Sequence, residues 1–291
     1  MPRSTPVRVE DSAENSAISE TARIPRSHGP KTASERLSEL GSEADAAASG
    51  VILPEHLLSK AKMLCYLESY DWQGDAYYAG NAIAAQWREI CAAGLADTVT
   101  DFLDGIQDKE SGLWGNKGGY PAINALLKIS SFYRNAHKPM PNPIPAAEAV
   151  MDIMSEDISC ASVCWQYNTW FSIVNIKEIL KNSSQEGEAL SREISSRLLL
   201  KAPGAILSSA RKVKSFLKPD GSFSYKQDRT SPTSQGASVA LPDTNEGDVN
   251  ASVICSGGIT QNLWRALGLE PWRIPIFERD SLGIFLGHVK M

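Results

Sequence analysis

Long apolar runs are missing from this sequence: no stretch approaches the roughly 18 to 20 consecutive apolar residues that a membrane-spanning helix needs. The first residues lack the charged-then-apolar pattern of a secretory leader. Cysteine is scarce, and its odd count of 5 does not suit a disulfide framework. No basic surplus exists either. Lys and Arg total 29 against 34 Asp and Glu, for a formal charge of -5, which excludes the electrostatic footprint of a general nucleic-acid binder. Together these absences predict a soluble, cytoplasmic protein with reduced thiols and no membrane span.

Cofactor signatures are absent too. Cys160 and Cys164 stand four apart with no second Cys or His pair to complete a zinc site. His28, His56, His137 and His288 are scattered, with no zinc-protease or triad pattern. No dinucleotide glycine motif follows a strand, and no Gly-x-Ser-x-Gly elbow is present. The glycine-rich stretch from Trp114 to Asn124 lacks the Gly-Lys-Ser/Thr ending of a P-loop. The expectation is a protein without metal or other cofactor.

Residues 1–50 contain no aromatic residue and no cysteine, and not one Phe, Tyr or Trp precedes Tyr66. A polar stretch of that kind cannot bury enough apolar area to offset its ordering entropy, so 1–50 is expected to be a disordered tail. Residues 51–291 form the folded domain, and apolar residues at 42% of the chain are sufficient for a core. Apolar residues recur at helical spacing after Pro54, and again over 77–93, 97–106, 121–136 and 145–154. The same spacing runs over 163–181, 188–200, 204–217, 248–267 and 279–288. Asp97 suits an N-cap, and Pro121 and Pro145 suit a first helical turn. Ser256-Gly257-Gly258 falls inside an apolar run and reads as a close packing point or a helix break. No comparable set of alternating strands appears, and the fold class is all-α.

Two helices end alike. Phe102-Leu103 leads through a polar turn to Gly112 and Trp114, and Phe216-Leu217 leads through Asp220-Gly221 to Phe223 and Tyr225. Glycine and aspartate supply the tight turn, and the aromatic folds back on the helix end. Recurrence at a fixed interval is the signature of a helical array. The turn Gln107-Asp-Lys-Glu-Ser-Gly-Leu-Trp114 resembles the Gln-and-Trp turn of squalene-cyclase and protein-prenyltransferase (α/α) toroids, with one extra residue between Gln and Gly. It is also similar to turns in six-hairpin glycoside hydrolases and toroidal polysaccharide lyases. The resemblance implies a ring of helical hairpins around a central cleft. Ten candidate helices against the twelve of a six-hairpin ring imply an incomplete ring or two unrecognised helices.

Chemistry concentrates in three places. Lys218 to Asn250 is long for a connection inside a compact domain. Phe223, Tyr225, Val239 and Leu241 are expected to anchor it, and it delivers Asp243, Glu246 and Asp248 to the start of an apolar helix. Carboxylates there gain from the helix dipole, and Asn245 with Asp248 can form a variant capping box. The functional alternative is an acid/base pair, for which glycoside cleavage uses carboxylates about 5 to 9.5 Å apart. Glu246 and Asp248 are two apart and diverge on a regular helix, so Asp243 or Asp71 is a candidate partner. Asp243 to Ala251 also bears a fainter resemblance to the acidic motif of class II terpene cyclases, interrupted here by Asn245, Glu246 and Gly247.

The second place is Cys164 to Phe171, where Trp165, Tyr167, Asn168 and Trp170 crowd into two helical turns. Aromatic faces beside amides suit a sugar ring or, by cation–π attraction, a carbocation; a core helix packing large rings accounts for them equally. The third is the Trp114 to Asn124 turn, where Trp114, Tyr120 and Asn124 can line a cleft. The functional expectation is a carbohydrate-active toroid that cleaves or binds a glycan through Glu246, Asp248 and Asp243. Trp165, Tyr167, Asn168, Trp170, Trp114, Tyr120, Asn124, Tyr225 and Asn245 are its candidate substrate contacts. A terpenoid-cyclase-like toroid and a non-catalytic scaffold are the alternatives.

Overall fold

The computed structural model describes residues 53–234, 237–238, 240–241 and 244–269. The expected tail at 1–50, the expected helix over 279–288, Val239 as a loop anchor and the candidate Asp243 lie outside the described residues. What is described is mainly helical. After a 3-10 turn at Glu55–Leu57 come α1 (Lys60–Glu68), α2 (Ala76–Ala85), α3 (Trp87–Ala92), α4 (Ala96–Ile106), α5 (Gly119–Asn135), α6 (Pro143–Ser155), α7 (Val163–Ser183) and α8 (Gln185–Lys214). A minimal antiparallel pair, β1 (Thr233–Ser234) and β2 (Ala237–Ser238), precedes α9 (Val249–Val253). A π-helical turn at Ile254–Gly258 joins α9 to α10 (Ile259–Leu267).

The helices pack as a series. α2 lies on α5, α5 on α7, and α7 on the π turn and α10. The flanking helices pair among themselves, α1 with α4 and α6 with α8, and α8 also covers α7. Neighbours α5 and α7 run parallel, because Tyr120 meets Gln166, Asn124 meets Asn168 and Ser131 meets Asn175 in rising order. α7 and the α9–α10 run are parallel as well: Gly258 abuts Tyr167, and Lys177 reaches Ala266. Between its partners α7 is buried nearly all round, as a helix in the middle of such a series must be.

Local deviations from the periodicity have identifiable causes. The 77–93 pattern splits at Gln86, whose amide is held by His56 at 2.7 Å and donates to Tyr66 at 2.9 Å, both from the neighbouring segment. α4 begins at Ala96 with Leu95 as its cap, and Asp97 sits in the first turn, paired with Lys138. α5 and α6 begin two residues before Pro121 and Pro145. The 188–200 and 204–217 patterns form one helix, α8, which continues through Pro203. Proline there removes the bond to the Leu199 carbonyl, on a stretch of α8 where Leu199, Leu200 and Pro203 are exposed. Pro203→Ala is therefore expected to stabilise the chain by about 1–3 kcal/mol, read as a higher urea midpoint at unchanged slope. Of the two readings of Ser256–Gly258 the close packing point holds, since a methyl group on Gly258 would stand 3.0 Å from the Tyr167 ring, whereas the helix does not break but runs on through a π turn.

Candidate functional site

The two similar turns share chemistry as well as sequence. Asp108 accepts the Ser111 N–H and hydroxyl, both at 2.7 Å, and Asp220 accepts the Ser222 N–H at 3.0 Å and its hydroxyl at 2.5 Å. These bonds hold both carboxyls below their usual range. Trp114 then turns back to donate to the Leu103 carbonyl at 2.9 Å, and Trp72 does the same to Leu67 at 2.6 Å after α1. Such bonds satisfy carbonyls that a helix end leaves without partners.

Because α5 and α7 are parallel and α9 follows the same direction, their first turns gather at one rim. There Gln166 donates to the Tyr120 hydroxyl at 2.6 Å, and Trp165 stacks on Tyr120 with ring centroids 5.2 Å apart. The Lys212 ammonium lies 5.5 Å over the Tyr120 ring and donates to the Glu156 carbonyl. One helical turn inward, Asn168 donates to Asn124 at 3.0 Å while its own Oδ1, fully buried, has no partner.

The long connection after α8 closes over this rim. Val163 N–H donates to the Tyr225 carbonyl, Asp248 N–H to the Phe223 carbonyl at 2.8 Å, and the Gln227 amide to the Cys160 carbonyl at 2.9 Å. Its anchors are mostly polar. Buried Lys218 donates to the Gln227 and Arg229 carbonyls, and the Thr230 hydroxyl binds both the N–H and the carbonyl of Glu246. Tyr225 is buried as expected, but Leu241 is 63% exposed and anchors nothing. Lys218, Ser224 and Thr230 have no hydrophobic periodicity to betray them. Only their place inside an unusually long connection marked them.

Asp248 caps α9, its Oδ1 accepting the Ala251 N–H at 2.7 Å. Asn245 is exposed and takes no part in that cap. Asp248 is only 4% exposed, and its second oxygen has no partner. Burial raises its pKa, against the opposing pull of backbone N–H groups at Ala251, Tyr225 and Asn250. Burial likewise pushes the Cys160 thiol up to about 11, and Cys255, close enough to feel Asp248, is raised further. Neither thiol is an activated nucleophile.

The remaining sequence candidates fall in different places. Glu246 is exposed on the connection. Trp165 is half-buried at the rim with Tyr120. Tyr167 faces the π turn and Phe171, and Trp170 points the other way, donating to Ser209 of α8 at 3.0 Å. Trp114 is in the core beside Tyr133. Asp71 holds Gly74 in the turn before α2, at the far end of the series from α9. Thus Tyr120, Trp165, Asp248 and Tyr225 belong to one rim, with Asn124 and Asn168 beneath it. Among the described residues no group of three or more His, Cys, Asp or Glu side chains is placed to hold a metal ion, and no helix is long and apolar enough to cross a membrane. No family profile, no curated protein and no solved structure matches the chain.

Proposed function

We propose that the chain is a carbohydrate-active protein of the (α/α)-toroid type that holds a glycan at the rim where α5, α7 and α9 begin, with Asp248 as the proton donor. The observation that supports this is the state of Asp248. An N-cap needs one acceptor oxygen, and asparagine serves as well as aspartate there. A buried carboxyl with one oxygen left over and a raised pKa is costly for a cap and suited to a general acid. Glu246, exposed two residues earlier, and Asp243 are the candidate bases of this reading. Trp165, half-buried at the rim and backed by the buried Tyr120, offers the apolar face on which a sugar ring stacks.

The test separates catalysis from capping. Burial makes the folded chain hold the Asp248 proton more tightly than the unfolded chain. The stability from this group is therefore present at low pH and lost as pH rises through the carboxylate range. Asp248→Asn removes that loss. Its melting temperature near neutrality should equal or exceed the wild-type value, while turnover of an oligosaccharide that shifts the wild-type melt falls about 100- to 10,000-fold. A lower melting temperature with undiminished turnover would make Asp248 a structural cap and nothing more.

A non-catalytic scaffold is the second reading. It is favoured by the open form of the series, whose first helix α2 and last helix α10 make no substantial packing contact among the described residues. On that reading no oligosaccharide shifts the melt.

A further inference from the structure

The end of the molecule opposite the rim carries a second concave feature. A cleft of about 410 Å³ opens between the end of α7, the start of α8 and the end of α10, lined by Lys177, Lys181, Glu188, Ser191, Arg192 and Ser195. Lys181 is fifteen residues beyond Gln166 on α7, about 22 Å along the helix axis, so the cleft is separate from the Asp248 rim. Among the described residues its charge is unbalanced, with three cations around one carboxylate. That carboxylate, Glu188, is already engaged by Arg192 at 3.4 Å.

Lys177 is 4% exposed, and its ammonium donates to the Ala266 carbonyl at 2.5 Å. The C-terminal carbonyls of α10 thus answer one of its three protons. Lys177 and Lys181 stand at i,i+4, where like charges oppose each other. Among the described residues neither lysine pairs with a carboxylate. Burial, with Lys181 adding to it, pushes Lys177 down to about 8.

We propose that this cleft binds a compact oxyanion, a phosphate or carboxylate group of a small ligand, between Lys177 and Lys181 of α7 and Arg192 of α8. The two lysines supply point charges with rotatable donors, and arginine supplies a planar fork, the combination that recognises oxyanions. The inference does not rest on the glycan reading, because no residue of the rim takes part.

The test uses the full chain at low ionic strength, with inorganic pyrophosphate and citrate as probes in calorimetry and thermal melts. At least one probe should bind and raise the melting temperature, and the stronger of the two identifies phosphate or carboxylate as the preferred group. Lys181→Gln and Arg192→Gln, both at exposed positions and so compatible with folding, should each weaken binding tenfold or more. Asp248→Asn should leave it unchanged, which keeps failure here distinct from failure at the rim. Absence of binding by either probe at millimolar concentration would overturn the proposal. So would equal binding by wild type and the Lys181→Gln/Arg192→Gln double variant.

Discussion

Trp114→Ala is expected to destabilise the fold by about 3–5 kcal/mol, read as a fall in urea midpoint at constant slope. Three losses combine. The side chain is 1% exposed, so its removal empties a large volume in a close-packed core. Its ring packs beside Tyr133, centroids 6.2 Å apart, and that contact disappears. Its indole N–H no longer serves the Leu103 carbonyl near the end of α4, which becomes a buried acceptor without a donor. Trp114→Phe isolates the last loss. It restores most of the volume but not the donor, and should cost about 1–3 kcal/mol. An alanine variant that loses less than 1 kcal/mol would show that this turn does not secure α4.

Gly112→Ala should be nearly as damaging, at about 2–4 kcal/mol, because two independent costs add. Gly112 has a φ of +68°, in the left-handed region that disfavours any side chain. A methyl group there would also lie 2.5 Å from the Ala146 nitrogen and 2.7 Å from the Asn142 carbonyl oxygen, both rigid backbone at the start of α6. The clash spreads, since the Gln107 amide binds the Gly112 and Pro141 carbonyls while Asn142 donates to Gln107 at 2.8 Å. That knot ties the turn after α4 to the start of α6. Gly221→Ala is the control. Its φ is +84°, but a methyl group there meets nothing within 4 Å. Only the conformational cost of about 1 kcal/mol remains. Equal effects at the two glycines would mean that the contact with α6 is not tight.

These turns were the most legible part of the chain beyond its helical class. Gln107, Gly112 and Trp114 stand out because part of the turn chemistry is local, the Gln107–Gly112 bond closing within five positions, whereas the bonds of Gln107 to Pro141 and Asn142 were not legible. Helix ends were less legible where a distant partner set them. Gln86 breaks a regular pattern because His56 and Tyr66 hold its amide. Pro203 fails to break one, on an exposed stretch of α8 that the tertiary packing still holds helical. The α7 aromatics illustrate the limit of periodicity. On a helix buried on nearly every face, spacing says that Trp165, Tyr167 and Trp170 point in different directions, but not which direction meets solvent. Asp248 and Glu246 look interchangeable in the sequence. Their divergence, one buried and one exposed, follows from how Thr230 and Phe223 pin the connection on either side of them.

The parallel course of α5, α7 and α9–α10 has an electrical consequence. Each helix contributes about half a positive charge at its start and half a negative charge at its end, and in parallel neighbours these contributions reinforce rather than cancel. The outer helices α6 and α8 run the opposite way: both end at the rim, and α8 starts at the Lys181 cleft, so over the molecule as a whole the dipoles offset one another. What remains is local. The starts of α5, α7 and α9 favour negative charge at the Tyr120 and Asp248 rim, and Lys177 and Lys181 stand as countercharges near the end of α7. Such end effects fade within a Debye length of about 10 Å at 0.1 M salt, so only a group already seated at the rim feels them.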